Sequence, residues 1–301
     1  MRKILRTALI ALFVVGTHSA SAAVKILATT TDWAALAREI GGDQVDIYTA
    51  TSALQDVHRV EAKPSLIARA RSADLVFATG AQLEIGWLPV LLQESGNARI
   101  QPGQPGYFEA ASQVALLEKP SAVDRAMGDI HPQGNPHLQL DPRNIAAIAR
   151  ALSARLAAID SANAGLYATR GDDFAKRWQS AMARWQDSAA RLKGVPVVVI
   201  HRDQVYLCHW LGLEEVAAIE PKPGVPPSAG YLAQLVARLK SSPPRMILRS
   251  AYSDGKSAEW LAGKIGVPVV LLPFSVGGTK EADNLFALFD DTINRLLGAA
   301  K

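Results

Sequence analysis

Residues 128–142 read G-D-I-H-P-Q-G-N-P-H-L-Q-L-D-P and form a turn-rich connection near the middle of the chain. The prolines and glycines of this stretch disfavour a helix and an interior strand, so His131 and His137 are predicted to lie on a loop. Asp141 followed by Pro142 is typical of a helix start, with the aspartate as N-cap and the proline at the first helical position. The stretch therefore predicts a rigid loop that presents two imidazoles and ends in a capped helix.

Two further histidines occupy comparable positions. His58 lies in the segment D-V-H-R-V-E-A-K-P-S (56–65), and His201 directly follows the apolar run Val195–Ile200. Neutral imidazole is the commonest side-chain ligand for divalent transition metals. A single loop histidine is better explained by a hydrogen bond to the backbone, but three of them favour a metal site formed by His58, His137 and His201.

The length and charge of the chain limit the classes of protein to which it can belong. The chain has 301 residues, of which 49% are apolar, and this is enough for two globular domains. The formal net charge is +4 and the isoelectric point is near 9.2. Because the basic residues are interspersed with acidic ones, the sequence predicts a solvated surface and no nucleic-acid partner.

Residues 1–22 have the pattern of a Sec-type signal peptide. Met1–Arg6 is rich in basic residues, Ala8–Val15 is apolar, and Ala20–Ala22 has the small-x-small pattern of a cleavage site. The apolar core is too short to span a bilayer, and no later segment is apolar for long enough. Cys208 is the single cysteine, which excludes an intrachain disulfide and leaves no cysteine at the cleavage site for a lipid anchor. We therefore expect a soluble periplasmic protein that begins near Ala23.

Strands and helices alternate in residues 23–142 and again in residues 194–301. The first segment is predicted to contain strands at Val24–Thr29, Val45–Thr49 and Leu75–Ala78 and helices at Trp33–Gly41, Ser65–Ser72 and Leu83–Glu94. The second is predicted to contain strands at Val195–Ile200, Met246–Leu248 and Val267–Leu272 and helices at Val205–Leu211, Tyr231–Ser241, Ser257–Ile265 and Asp283–Leu297. This order is typical of α/β lobes with parallel sheets.

Residues 143–193 are helical in pattern and lie between the two α/β segments. Ile145–Ile159 is rich in alanine, and Ala164–Leu192 forms a longer tract that Gly171 could interrupt. Trp178 and Trp185 are seven residues apart, which favours core packing over a cofactor-stacking role. The fold class is thus α/β, with two (β/α) lobes joined by a long rigid helix. Ligands of open α/β sheets bind beyond the carboxyl ends of strands, so loops from both lobes can bring the histidines to one interlobe cleft.

The chain resembles the zinc- and manganese-specific periplasmic solute-binding proteins of ABC importers, the TroA-like superfamily, and the resemblance covers essentially all of residues 23–301. The first motif, histidine, two residues, acid, two residues, proline and a small polar residue, stands as H-R-V-E-A-K-P-S (58–65). The second stands as P-H-L-Q-L-D-P (136–142). The third is a histidine after the first strand of the second lobe, matched by His201 with Tyr206, Gly212 and Leu213 downstream.

The resemblance implies a periplasmic zinc-binding protein that delivers its metal to the membrane permease of an ABC importer. It implies that Zn²⁺ is the transported ligand, that His58, His137 and His201 bind it, that the protein is a monomer and that it is not an enzyme. A manganese or other divalent-metal binder of the same family is the alternative. Two further hypotheses are a zinc-dependent hydrolase, for which no His-Glu-x-x-His pair is present, and a binder of an organic ligand such as a siderophore.

The sequence departs from the family pattern at the fourth metal ligand. Family members usually supply an aspartate or glutamate from the loop after the last strand, but here this loop reads P-F-S-V-G-G (273–278). Water, Glu61, Glu281 or Asp283 could fill the position, although Asp283 also suits a helix N-cap and Glu61 could instead orient His58. Losing an oxygen ligand favours zinc over manganese.

The remaining histidines and the cysteine have open roles. The loop before the second motif, which is long and rich in histidine in many zinc importers, is short here, and its first histidine is His131, an auxiliary ligand or a capping group. His209 and Cys208 are predicted to be packing or surface residues rather than ligands. Pro221–Pro227 is predicted to be a rigid loop that could border the cleft.

Overall fold

The computed structural model describes residues 22–121, 128–129 and 131–301. The predicted signal peptide, except Ala22, lies outside these residues. The described chain forms two four-stranded parallel sheets. The first has the order β2-β1-β3-β4 and consists of β1 (Val24–Ala28), β2 (Val45–Thr49), β3 (Leu75–Ala78) and β4 (Tyr107–Glu109). The second has the order β6-β5-β7-β8 and consists of β5 (Pro196–Val199), β6 (Glu214–Ala218), β7 (Met246–Ser250) and β8 (Val269–Leu272).

Helices connect and cover the strands of both sheets. In the first lobe these are α1 (Thr31–Gly41), α2 (Pro64–Ser72) and α3 (Leu88–Ser95). Two long helices follow, α4 (Pro142–Ile159) and α5 (Ala164–Ala189). The second lobe contains α6 (Val205–Leu211), α7 (Ala229–Ser241), α8 (Lys256–Ile265) and α9 (Leu285–Ala299). None of the described helices combines the length and the apolar character that a bilayer crossing needs.

The fold class predicted from the sequence is confirmed: two parallel α/β lobes are joined through a long helix. Helix α5 has 26 residues and is about 39 Å long at 1.5 Å per residue. It continues through Gly171, which does not interrupt it. A side chain there would place its Cβ 2.8 Å from the Ser153 Oγ of α4, so glycine allows the two helices to lie close together. The exact domain boundaries at residues 142 and 193 stay a prediction.

The hydrophobic core runs from one lobe into the other. Trp178 and Trp185 of α5 are buried, as the sequence predicted, and pack against Phe289 of α9. The same apolar cluster includes Trp33 of the first lobe and Val199 of the second. The interlobe helices are thus part of a shared core and not a flexible linker.

Two strands and several helix ends differ from the sequence prediction. The strands β4 and β6 were not predicted, because they are short or polar edge strands and lack a long apolar run. The helix expected over Leu83–Glu94 begins at Leu88, and residues before it form turns around Glu84. That buried carboxylate accepts hydrogen bonds from the backbone N–H groups of Thr79 and Gly80 at 2.7 and 3.1 Å.

Candidate metal centre

Three histidines from different parts of the chain meet between the lobes. His58 lies in the loop after β2, His137 in the loop before α4, and His201 directly after β5. Each offers a ligand nitrogen, and these three atoms lie within 4.8 Å of one another. The structure therefore brings together the three residues that the sequence predicted as metal ligands, at the carboxyl ends of the strands.

A carboxylate fixes the orientation of His58. The Nδ1 of His58 lies 2.8 Å from the Oδ1 of Asp56, and the backbone N–H of His58 donates to the same oxygen at 3.0 Å. An ionised carboxylate only accepts hydrogen bonds, so Nδ1 carries the hydrogen and the lone pair of the neutral ring is on Nε2. Burial would raise the pKa of Asp56, but its bonds with His58 outweigh this and lower it. His58 is thus held with Nε2 available for a metal.

His201 has a matching carboxylate partner. Its Nδ1 lies 2.7 Å from the Oε2 of Glu220, which also accepts from the backbone N–H of Gly224 at 2.8 Å. Burial would lower the pKa of His201, but the hydrogen bond to Glu220 and the charges of Asp203 and Asp56 raise it. Glu220 follows β6, and Gly224 belongs to the predicted Pro221–Pro227 loop. Gly224, Pro226 and Pro227 line the same cavity as His58 and His201, so this loop borders the cleft.

His137 is the most enclosed of the three imidazoles. Its backbone N–H donates to the side-chain oxygen of Asn135 at 3.0 Å, and its ring packs against Phe274 with ring centroids 5.7 Å apart. Burial first, and then the neighbouring imidazoles, lower its pKa well below the ordinary value, which keeps the ring neutral. Its Nε2 is buried and has no hydrogen-bond partner. An unsatisfied buried nitrogen is costly, and a metal ion at this position would satisfy it.

Asn135 connects His137 to the second lobe. Its Nδ2 donates to the backbone oxygen of Arg202 at 2.7 Å, and its own backbone oxygen accepts from the hydroxyl of Tyr206 at 2.8 Å. Asn135 thus positions His137 against the residue that follows His201. From the sequence alone, this asparagine was expected only to form part of a turn.

His131 lies next to the three predicted ligands. Its Nε2 is 3.3 Å from the Nε2 of His58, and the backbone of Ala81 lies near enough to its ring to affect its pKa. Burial, with smaller effects from His58 and His201, lowers the pKa of His131 to about 4. A fourth imidazole, which its lowered pKa keeps neutral, is therefore present at the edge of the cluster.

The acids considered for the fourth ligand lie elsewhere. Glu281 is exposed and pairs with Arg295 at 3.1 Å. Asp283 is exposed and accepts from the side chain of Asn284, which is the N-cap of α9, so the predicted capping role of Asp283 is wrong. Glu61 is exposed, and the bond to the ring of His58 is made by Asp56, so the expected orienting role of Glu61 is also wrong.

Cys208 and His209 fit the expectation that they are packing or surface residues. Cys208 is buried in the core, and burial raises the pKa of its thiol. His209 is exposed on α6. The structure therefore gives neither of them a part in the histidine cluster.

The orienting acids were missed by the sequence prediction for different reasons. Asp56 carries a local signal, since it stands two residues before His58, but it competes with Glu61 in the motif. Glu220 stands 19 residues from His201 and reaches it only because β6 pairs with β5. Only the unpredicted strand β6 could have revealed this contact.

The arrangement is chemically suited to a divalent cation. Imidazoles whose Nδ1 atoms are held by carboxylates direct their second nitrogens towards one region, which is the usual way in which proteins orient histidine ligands. The fold and this site define a class of two-lobed proteins that bind a metal ion in the interlobe cleft.

Comparison with known proteins identifies the family. The family described as "Zinc-uptake complex component A periplasmic" matches residues 26–299, and the chain belongs to it. The family is one of metal-binding substrate-binding proteins of ABC transporters, which are not enzymes. The zinc-hydrolase hypothesis is therefore set aside.

Similar proteins are named for different metals. A manganese ABC transporter substrate-binding lipoprotein PsaA of Streptococcus anginosus is 25% identical over 154 residues, covering 50% of this chain and 47% of that protein. An iron ABC transporter substrate-binding lipoprotein MtsA of Streptococcus pyogenes serotype M1 is 25% identical over 156 residues, with 50% and 47% coverage. The chain thus matches about half the length of these relatives.

Solved structures support the fold. A crystal structure of ZnuA has a TM-score of 0.74 and 24% identity, covering 90% of this chain and 98% of that one. A cadmium-bound periplasmic metal-binding protein from Candidatus Liberibacter asiaticus has a TM-score of 0.75 and 14% identity, covering 92% and 100%. At this identity the likeness concerns the fold alone.

Proposed function

We propose that the protein binds Zn²⁺ in the periplasm and delivers it to the membrane permease of an ABC importer. The observation that carries this proposal is the buried, unpartnered Nε2 of His137 beside His58 and His201. Three imidazoles are a usual ligand set for zinc, whereas manganese prefers oxygen ligands. His58, His137 and His201 are the proposed ligands, and the protein is proposed to act as a monomer.

Zinc is also favoured by the residues that surround the cluster. The loop after β8 presents Phe274 to His137, and in the described residues the acids nearest the rings, Asp56 and Glu220, are bonded to Nδ1 atoms. These carboxylates therefore orient ligands instead of offering oxygen to a metal. Relatives named for manganese and iron make those ions the competitors that a test must include.

The test is zinc binding to the metal-free protein and to three variants. We expect one Zn²⁺ per chain, and loss of high-affinity binding in His201→Ala and in His137→Ala. The control is His209→Ala, which removes an exposed imidazole outside the cluster and should bind zinc like the unchanged protein. Tight zinc binding that survives His201→Ala would contradict a site between the lobes, and tighter binding of Mn²⁺ than of Zn²⁺ would contradict zinc as the ligand.

A further inference from the structure

We propose that His131 is the fourth ligand, so that the metal is bound by four imidazoles and by no carboxylate. This inference rests on the proposed function, because it concerns the same site. It assigns a ligand to the position that the loop at residues 273–278 leaves without an acid. The observation that carries it is the approach of the Nε2 atoms of His131 and His58.

The distance between these two nitrogens fits joint coordination. Ligands at about 2.0–2.1 Å from a tetrahedral zinc ion are about 3.4 Å apart. The Nε2 atoms of His58 and His131 are 3.3 Å apart. The ring centroid of His131 is 5.4 Å from that of His58 and 6.5 Å from that of His137, so this ring lies at the outer edge of the three-histidine cluster.

The hydrogen bonds of His58 leave its Nε2 lone pair facing His131. Nδ1 of His58 faces the carboxylate of Asp56, which makes Nε2 the atom with the lone pair. His131 directs its own Nε2 towards that lone pair. Either His131 donates a hydrogen bond to His58, or both nitrogens bind one metal ion, and these alternatives differ in the number of imidazoles around the metal.

A tight turn in the loop places His131 in the cleft. The backbone N–H of Gly134 donates to the backbone oxygen of His131 at 3.0 Å, which closes a turn three residues before His137. Gly134 has a φ of 124°, and a Cβ there would lie 2.8 Å from the backbone oxygen of Leu117. Glycine is therefore needed for the turn that places His131 and His137 at the same site.

The first lobe provides the other support for His131. The imidazole lies near the backbone of Ala81, which has a φ of 49° and is followed by Gln82 with a φ of 66°. Two successive non-glycine residues in the left-handed region are uncommon and are found where the backbone serves a site. The buried Glu84 anchors this segment through its bonds to the backbone of Thr79 and Gly80.

The other source of a fourth ligand is a water molecule. A cavity of about 20 Å³, lined by His58, His137, Phe274 and Tyr252 among others, adjoins the cluster. It has room for about one water molecule. A site with three imidazoles and water is therefore the alternative that the experiment must distinguish.

The experiment counts imidazoles by X-ray absorption on the zinc-loaded protein and measures zinc affinity by competition with a chelator. We expect four imidazoles in the unchanged protein and in the His209→Ala control, and three in His131→Ala. We expect His131→Ala to weaken zinc binding at least about tenfold, since even losing a group that only hydrogen-bonds to a ligand costs about 10–100-fold. His131→Asp, which supplies oxygen, should narrow the preference for Zn²⁺ over Mn²⁺.

The outcomes separate this inference from the proposed function. If His201→Ala loses zinc while His131→Ala keeps the affinity and imidazole count of the unchanged protein, the fourth-ligand assignment is wrong and the proposed function stands. If neither variant loses zinc, both are wrong. Three imidazoles plus one oxygen in the unchanged protein would also overturn the assignment.

Discussion

In two of the three proposed ligands, Nδ1 is hydrogen-bonded to a carboxylate, and in the third it is not. His58 bonds to Asp56 and His201 to Glu220, whereas His137 is fixed through its backbone N–H and by packing against Phe274. A carboxylate selects the tautomer with the lone pair on Nε2 and makes that nitrogen a stronger donor to a metal. The affinity of the site is therefore expected to depend on residues that never touch the ion.

We expect Asp56→Asn and Glu220→Gln to lower zinc affinity about 10–100-fold each, the usual effect of removing such a partner. Both substitutions preserve the shape of the side chain, so the midpoint of thermal unfolding of the metal-free protein should change little. The matched control is Glu61→Gln, which removes an exposed acid from the same motif as His58. Titration with zinc in the presence of a competing chelator gives the affinities. A larger loss of zinc affinity in Glu61→Gln than in Asp56→Asn would show that Glu61, and not Asp56, orients His58.

At the scale of elements, α1 of the first lobe touches the loop after β8 of the second. The Oδ1 of Asp32 accepts from the backbone N–H of Val276 at 3.0 Å, and Ser275 also donates to this carboxylate. Burial raises the pKa of Asp32 from 3.8 to about 6, although these hydrogen bonds act in the opposite direction. A buried acid thus joins the two lobes beside the metal site, at a cost in stability when it is charged.

The buried charge of Asp32 destabilises the folded state, and Asp32→Asn removes that charge. Above about pH 6 Asp32 is ionised in both the folded and the unfolded state, and the folded state bears the full cost of the buried charge. As the pH falls from about 6 to about 4, the folded state takes up a proton that the unfolded state does not, so the unchanged protein gains stability. Asparagine is neutral throughout and can still accept from Val276.

We therefore expect Asp32→Asn to raise the free energy of unfolding by about 1–3 kcal/mol near pH 7.5, since each pKa unit corresponds to about 1.4 kcal/mol. The gain should shrink towards zero near pH 4. Denaturant unfolding of both metal-free proteins across this range measures it, and other buried acids cancel because both proteins contain them. A difference that does not vary with pH would mean that Asp32 does not change its charge.

The elements that the sequence predicted well are those with long apolar runs. The strands β1, β2, β3, β5 and β7 and the amphipathic helices could be predicted, and with them the lobes and the ends of β2 and β5, which precede His58 and His201. The edge strand β6 reads E-E-V-A-A and has no such run, so it was missed together with the position of Glu220. The contact between His131 and His58 depends on how a loop folds back, and spacing along the chain does not encode it.

On the scale of the whole molecule, the two lobes are parts of one packed body. Helix α5 packs against α1, α4 and α9, and the largest apolar cluster contains residues of both sheets. Tyr167, Phe174 and Trp178 of α5 are fully buried within it. Separating the lobes would expose this core, so opening of the cleft is restricted to small movements around a stiff connection.

The shared core predicts that the metal-free protein unfolds in a single cooperative transition. Helical circular dichroism and tryptophan fluorescence should give the same midpoint, because Trp33 reports on the first lobe, Trp185 on the connecting helix and Trp210 on the second lobe. Zinc that binds only the folded state should then shift the whole transition. At a free zinc concentration 100 times the dissociation constant, the free energy of unfolding should rise by about 2.7 kcal/mol. His201→Ala should unfold in one step as well but should not respond to zinc. Two separate transitions, or a zinc shift confined to one probe, would show that the lobes unfold independently and that the core across α5 does not couple them.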